Sequence, residues 1–251
     1  TRGYSAHLFT DRRGAKLLSG ASSSPAKLHV IAAASPFQNG MMKRTFAVTK
    51  LAAGALASLY HLLIRRPALI IGFGGYPSFA PLLAGRILGI PILLHEQNAF
   101  LGRTNHVLAK FANALALSWP QTKNLPPVHH VEVTGVPVRQ AFFDAAQTPY
   151  RIMAKAPVNL AVLGGSQGAS ILASLVPDAI AMLDPTMRQR LRIHQQARPE
   201  QITPLRHRYD DLGVTADIQP FYTDMPTLLG QSHLVICRAG ASSVAELAAI
   251  G

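Results

Sequence analysis

"ALIIGFGGYPSFAPLLAGRILGIPILLHEQN", residues 68–98, holds two apolar β-type runs, "ALIIGF" and "PILLHE", around a helix-length segment, "APLLAGRILG". Gly89, Ile90 and Pro91 close that segment, so the stretch reads as strand, helix, strand. Neither strand alternates apolar with polar. Near-continuous apolar runs belong to strands covered on both faces, which is the condition of a parallel sheet. A strand of this kind normally empties into a Gly/Ser turn. This one delivers His95, Glu96, Gln97 and Asn98 in a row, and Asn105 follows seven residues after Asn98.

The same alternation extends outward in both directions. "SAHLFT", "KLHVIA", "ALALSW" and "VEVTG" are further strand runs of the first half. The second half repeats the pattern with "VNLAVLGG", a helix near 168–183, "LRIHQQ", "ADIQPF", "HLVICR" and a last helix. Between them "FFDAAQTPYRIMAKAP" (142–157) carries two prolines and no strand. The predicted organisation is therefore a domain over 1–145, a linker over 146–157 and a domain over 158–251. Both are expected to be doubly wound α/β domains facing across a cleft, with ligands at the carboxyl ends of the strands.

With 251 residues, 49% hydrophobic and 14% charged, the chain has the composition of a globular protein large enough for two cores. Its one cysteine, Cys237, excludes an intramolecular disulfide and agrees with a reducing compartment. The first residues lack the apolar region of a signal peptide. Both ends look cut: the chain opens into strand-like "YSAHLFT" and stops as "SSVAELAAIG" finishes a helix, so a fragment is expected.

Charge is uneven. Residues 1–145 hold 15 Lys/Arg against 4 Asp/Glu, net +11, whereas residues 146–251 hold 9 against 8, net +1. An anionic partner met by the first half alone is the implication, either nucleic acid or lipid head groups. The apolar stretch 51–64 is 14 residues long, short of the roughly 20 that span a bilayer. It reads as a core-packed crossover helix. Alternatively Met41, Met42 and Phe46 add a face that dips into a membrane while Lys43, Arg44, Lys50, Arg65 and Arg66 meet anionic head groups.

Three strand ends are glycine-rich: "IIGFGGYPS", "LAVLGGSQGAS" and "VICRAGASSVAE". Small residues there let a ligand approach the backbone, and free N–H groups at a following helix favour phosphate. Taken singly, each is as well explained by a tight turn. The dinucleotide spacing G-x-G-x-x-G and the P-loop are both absent from the second half. Ser243, Val244, Ala245 and Glu246 form a capping-box pattern, which gives Glu246 two candidate tasks: capping a helix, or accepting bonds from ribose hydroxyls. The ten histidines show no metal-ligand spacing, so no metal centre and no cofactor are expected.

"GFGGYPS", "LHEQNAFLGRTN", "VTGVPVR", "LGGSQGA" and "CRAGASSVAE", in that order, resemble the MurG glycosyltransferase family, and the resemblance runs through essentially the whole chain. It implies a GT-B fold, a peripheral enzyme on the cytoplasmic face of the bacterial inner membrane, and transfer of GlcNAc from UDP-GlcNAc onto lipid I to form lipid II of peptidoglycan. Carried over to this sequence, it makes Asn98 a sugar ligand, with His95 and Glu96 in the same pocket. Arg139 and Ser166 match donor-binding positions, with Gly165 and Gln167 beside Ser166. So does the run Ala241, Ser242, Ser243, Val244, Ala245 and Glu246, with Glu246 on the ribose. Tyr222 stands where the family usually has an aliphatic residue that contacts uracil through its backbone. The family's first glycine-rich loop, with a candidate catalytic histidine, is expected before Thr1, and a glutamine-containing donor segment after Gly251. No catalytic residue is therefore assigned, and the fragment is expected to be inactive.

An inverting transfer must deprotonate a hydroxyl, attack the anomeric carbon and stabilise the leaving diphosphate. Helix starts after Ser166 and after Ser242, with Arg139, are the expected source of that stabilisation, without a metal. Two other readings stand beside this one. A UDP-GlcNAc 2-epimerase shares the architecture. A nucleic-acid-binding α/β module would use the basic half, although the interleaved aromatic and basic residues of such modules are lacking and no nucleic-acid partner is expected.

Overall fold

The computed structural model describes residues 5–18, 26–34, 41–128, 130–147, 156–165 and 170–251. The chain forms two compact units, Thr1–Val136 and Pro137–Gly251.

In the first unit β1 (His7–Thr10), α1 (Arg12–Leu18) and β2 (Lys27–Val30) form a parallel pair of strands with a connecting helix. The helix α2 (Met41–Arg65) leads into β3 (Ile70–Gly72), α3 (Phe79–Ile87), β4 (Ile92–Glu96), α4 (Arg103–Leu108), β5 (Ala114–Leu117) and β6 (Val131–Val133). These last four strands make one parallel sheet in the order β3-β4-β5-β6. The opening stretch thus folds as its pattern predicts. Leu94 and Leu115 are fully buried, because α3 covers one face with Leu82 while Leu101 and Leu108 close over the same core. Gly89, at φ +69°, turns the chain out of α3 toward β4.

The helix α2 corrects one expectation. Its apolar part is not confined to 51–64: Thr45–Arg65 is a 21-residue helical stretch with an 18-residue window of mean hydropathy 1.5, long and apolar enough by length and composition to cross a membrane. The sequence count stopped at Lys50, but the helix carries Phe46, Ala47 and Val48 on the other side of that lysine. It has two apolar faces. Ala47, Ser58 and Leu62 are buried, and Gly54 sits so close to the Ala32 carbonyl that a Cβ would lie 2.1 Å from it. On the opposite side Phe46, Leu56, Tyr60, Leu63 and Ile64 are exposed.

In the second unit come α5 (Gln140–Ala145), β7 (Val158–Leu163), α6 (Leu172–Ala181), α7 (Pro185–Arg190), β8 (Leu191–Gln196), α8 (Pro199–Asp211), β9 (Thr215–Gln219), α9 (Met225–Gly230), β10 (Leu234–Cys237) and α10 (Ala241–Ile250). The parallel sheet runs β10-β7-β8-β9. From β7 the chain moves through β8 to β9 on one side and then returns to place β10 on the other. The gap between β7 and β10 is a topological switch point, where the following loops diverge and a ligand can enter. Each face has its own core. Tyr209, Ile193 and Val162 pack with α6 and α8 on one face, and Phe142, Ala161 and Leu229 with α9 and α10 on the other.

The division between the units falls at Val136–Pro137, before the predicted linker 146–157. The reason is Phe142: its ring is fully buried among Tyr222 and Leu229, which ties α5 to the second unit. Removing such a ring costs about 3–5 kcal/mol. Of the predicted linker, residues 148–155 lie outside the described residues.

Candidate functional site

The polar row at the end of β4 is occupied by bonds to its own surroundings. Glu96 is 2% exposed, and its two oxygens accept four hydrogen bonds. Oε1 takes the backbone N–H of Asn98 at 3.0 Å and its Nδ2 at 2.9 Å. Oε2 takes the N–H of Gly102 at 3.0 Å and Nδ2 of Asn105 at 2.9 Å. A buried carboxylate is tolerated when its lone pairs are filled in this way. His95 is also buried, with Nε2 donating to the Gly135 carbonyl at 3.0 Å and Nδ1 accepting from Gln97 Nε2 at 3.1 Å. Those partners assign the tautomer and leave neither ring nitrogen for a substrate proton.

Asn98 is different. It is exposed, and Glu96 engages its Nδ2 while Oδ1 has no hydrogen bond among the described residues. The glycine loop after β3 lies on this loop: at Gly74, φ +84°, a Cβ would lie 3.0 Å from Asn105 Nδ2. Glycine is required there both by the backbone angle and by the approach. His95, Glu96 and Asn98 are thus brought together, with two of the three acting as supports for the third.

In the second unit the structure overturns the capping-box reading. The helix α10 begins at Ala241 with Gly240 as its N-cap, so Ser243 lies inside the first turn and Glu246 in the second. Among the described residues no side chain caps the helix, and the first return bond runs from Val244 N–H to the Gly240 carbonyl at 2.9 Å. The N–H groups of Ala241, Ser242 and Ser243 therefore point beyond the helix start, where the dipole favours an anion. The helix start comes one residue before Ser242, and Val244 and Ala245 follow within the helix.

Freed from capping, Glu246 is half-buried. Burial pushes its carboxyl above the usual carboxylate range, and the charge of Arg139 opposes that shift. Arg139 is exposed at the start of α5, with its guanidinium 4.9 Å from the centre of the buried Phe142 ring. Its charge also reaches Asp224, whose carboxyl is held low chiefly by hydrogen bonds from Thr227 at the start of α9. A cation, an uncapped helix start and a half-buried acid thus share one unit. Sequence reasoning named Arg139 and Glu246 but missed Asp224, which offers only an ordinary helix-cap pattern as a signal.

Tyr222 is 8% exposed and buries its ring beside Phe142, and its hydroxyl donates to the Asp217 carbonyl at 2.8 Å. Burial pushes that hydroxyl upward. Its ring and hydroxyl are thus taken up by packing and by Asp217. Gly165 follows β7 with φ +75°, a conformation suited to glycine. Ser166 and Gln167 lie outside the described residues. The helix that follows them, α6, starts at Leu172.

Residues 1–117 match the glycosyltransferase family 28 N-terminal domain, and residues 159–251 its C-terminal domain. The class is thereby a two-domain glycosyltransferase. A protein of Sinorhizobium fredii is 41% identical over 250 residues, covering 99% of this chain and 66% of its own length. One of Rhizobium rhizogenes is 42% identical over 253 residues, with 100% of this chain and 67% of its own length covered. Both are called UDP-N-acetylglucosamine–N-acetylmuramyl-(pentapeptide) pyrophosphoryl-undecaprenol N-acetylglucosamine transferase. The crystal structure of MurG from Acinetobacter baumannii superposes with a TM-score of 0.65 at 27% identity, over 98% of this chain and 67% of that one. The chain belongs to the MurG family. It spans about two thirds of the length of these relatives. A UDP-GlcNAc 2-epimerase of Neisseria meningitidis, solved with UDP-GlcNAc, shares the fold with a TM-score of 0.58 at 15% identity, over 94% of this chain and 70% of that one.

Proposed function

We propose that the chain binds UDP-GlcNAc and, within the whole protein, serves transfer of GlcNAc to the lipid-linked acceptor named for its relatives, lipid I, giving lipid II. The observation that carries the reading is the uncapped start of α10 at the β7/β10 switch point, with Arg139 and Glu246 in the same unit. Three backbone N–H groups and a guanidinium suit a diphosphate, and they act hardest as the leaving group gains charge. Ionised Glu246 accepts from the ribose hydroxyls, and the backbone at Tyr222 meets the uracil. Ser166, Gly165 and Gln167 line the diphosphate from the loop after β7. Asn98, held by Glu96, takes the sugar. With the diphosphate charge met by amides and Arg139, chelation by EDTA is expected to leave UDP affinity unchanged in calorimetry.

The membrane part of the proposal rests on α2. Its exposed face of Phe46, Leu56, Tyr60, Leu63 and Ile64 enters the head-group region as a peripheral, cytoplasmic-face anchor, and the basic first half meets anionic lipid. Lys50 stands over the Phe46 ring at 4.5 Å, pairing a cation with that apolar face. The side chains of Met41, Met42, Lys43 and Arg44 lie outside the described residues. Co-sedimentation with phosphatidylglycerol vesicles tests this: Phe46→Ser with Leu63→Ser should weaken binding, and unchanged binding counts against it.

Calorimetric titration with UDP-GlcNAc tests the donor. Product analysis of the whole protein then separates the two nucleotide-sugar readings. UDP with glycosylated lipid supports the transferase, and free ManNAc or its UDP form supports an epimerase.

A further inference from the structure

Three exposed aromatic side chains stand past the carboxyl ends of consecutive strands of the first unit. Phe73 follows β3, Phe100 follows β4 and Trp119 follows β5, with 54%, 61% and 36% of their surfaces exposed. Trp119 is the most firmly held. Just before it, Ser118 N–H donates to the Glu96 carbonyl at 3.0 Å. Its own carbonyl accepts from Thr122 N–H at 3.2 Å and from Thr122 Oγ1 at 2.7 Å. Its indole N–H donates to the Gln97 carbonyl at 3.0 Å. Gln97 also bonds His95, whose ring centre lies 5.7 Å from that of Phe73. Trp119 is therefore tied by a hydrogen bond to the loop that carries Asn98.

Packing does not account for this. An indole a third exposed gives up part of its burial, yet its backbone and its polar edge are both fixed. What remains on offer is an oriented aromatic face, with the ordering cost already met in the free protein. A pyranose fits such a surface. Its C–H groups make one apolar face that lies on an aromatic ring, while its hydroxyl and acetamido groups project from the edge. Asn98, next to Gln97, is exposed, with Nδ2 held by Glu96 and Oδ1 without a hydrogen bond among the described residues.

We propose that Trp119 is a sugar-stacking residue, packing the face of a pyranose whose edge bonds Asn98. This rests on the glycosyltransferase reading above. Two sources supply the same chemistry, the donor's GlcNAc and the sugar of the acceptor, and the test has an arm for each.

Trp119 is the only tryptophan of the 251-residue chain, so its emission reports this ring alone. The chain is titrated with UDP, with UDP-GlcNAc and with a lipid-free acceptor analogue bearing the diphosphate-linked sugar. UDP should leave the emission unchanged, and one of the two sugar ligands should quench or shift it, which identifies the source. By calorimetry Trp119→Leu should raise the Kd of that ligand about two- to tenfold and leave the Kd of UDP alone. Trp119→Phe, which keeps an aromatic face, should recover most of the loss, a rescue that a purely structural role does not give. Sugar ligands that bind with unchanged emission, or bind Trp119→Leu as tightly as the native chain, overturn the inference and leave the transferase reading standing. A chain that binds neither UDP nor UDP-GlcNAc overturns that reading, and this inference with it.

Discussion

The end of β4 and the start of α10 are both rich in polar groups, and they use them in opposite ways. At β4 every polar atom of Glu96 and both nitrogens of His95 are spent within the first unit, so most of the row is scaffold and Asn98 alone is presented. At α10 no side chain among the described residues satisfies the first-turn amides, and Glu246 in the next turn is half-buried, pushed upward by desolvation and opposed by one guanidinium. Glu96 and His95 are saturated and fix shape, although Asn105 Oδ1 beside them has no partner among the described residues, whereas the unsatisfied amides of α10 suit a ligand. Polarity at a strand end is therefore a poor guide to binding until the partners are counted.

The largest effect that would sharpen this contrast is on stability. Glu96→Ala strips four donors of their acceptor at a buried position and should destabilise the first unit by about 3 kcal/mol or more, read by chemical denaturation. UDP affinity should barely move. Glu246→Gln reverses the pattern, because a neutral amide accepts more weakly from ribose hydroxyls. UDP should bind about tenfold more weakly, with the denaturation midpoint nearly unchanged. A variant of Glu96 that loses UDP while staying folded would break the comparison.

A smaller effect follows from pH. Since burial raises the Glu246 carboxyl, it takes up a proton at a higher pH than an ordinary carboxylate. The ribose contact needs the ionised form, so UDP affinity should fall on acidification while free carboxylates are still charged. Glu246→Gln should flatten that dependence, as followed by calorimetry across pH.

The smallest effect concerns β1 and β2 of the first unit, where His7 Nδ1 lies 2.9 Å from His29 Nε2 and the His61 ring lies tilted, 4.6 Å from that of His29. Desolvation comes first in holding His7 and His29 below the ordinary value of 6.5. Repulsion follows, led by Arg65 for His7 and by His61 for His29, with Lys27 contributing to both. The unfolded chain therefore binds more protons as pH drops below 6.5, and stability is lost in that window. His29→Gln should reduce the loss in thermal melts.

Much of the fold was legible in the chain. Continuous apolar runs marked β4, β5 and β7, which are mostly buried, because strands covered on both faces are written that way, whereas β6 is exposed along its length and was legible only by its β-branched residues. The donor-binding candidates Arg139 and Glu246 were legible through the family motifs. What was not legible depends on partners far away in sequence. The capping box looked satisfactory from Ser243 to Glu246, yet Gly240 starts the helix and the box never forms. The resemblance put His95 in the sugar pocket, yet Gly135, 40 residues on, takes one of its nitrogens. The α2 helix was cut short in the reading because Lys50 interrupts an apolar count without interrupting a helix. Trp119 carried no signal, since its orientation is set by Gln97 on another strand's loop.

An amide-resolved NMR titration with UDP puts the contrast to its most direct trial. The signals of Ala241, Ser242 and Ser243 should move strongly, while those of Glu96 and Gly102 stay in place. UDP binding that shifts the β4 loop and leaves the first turn of α10 unmoved would contradict the account.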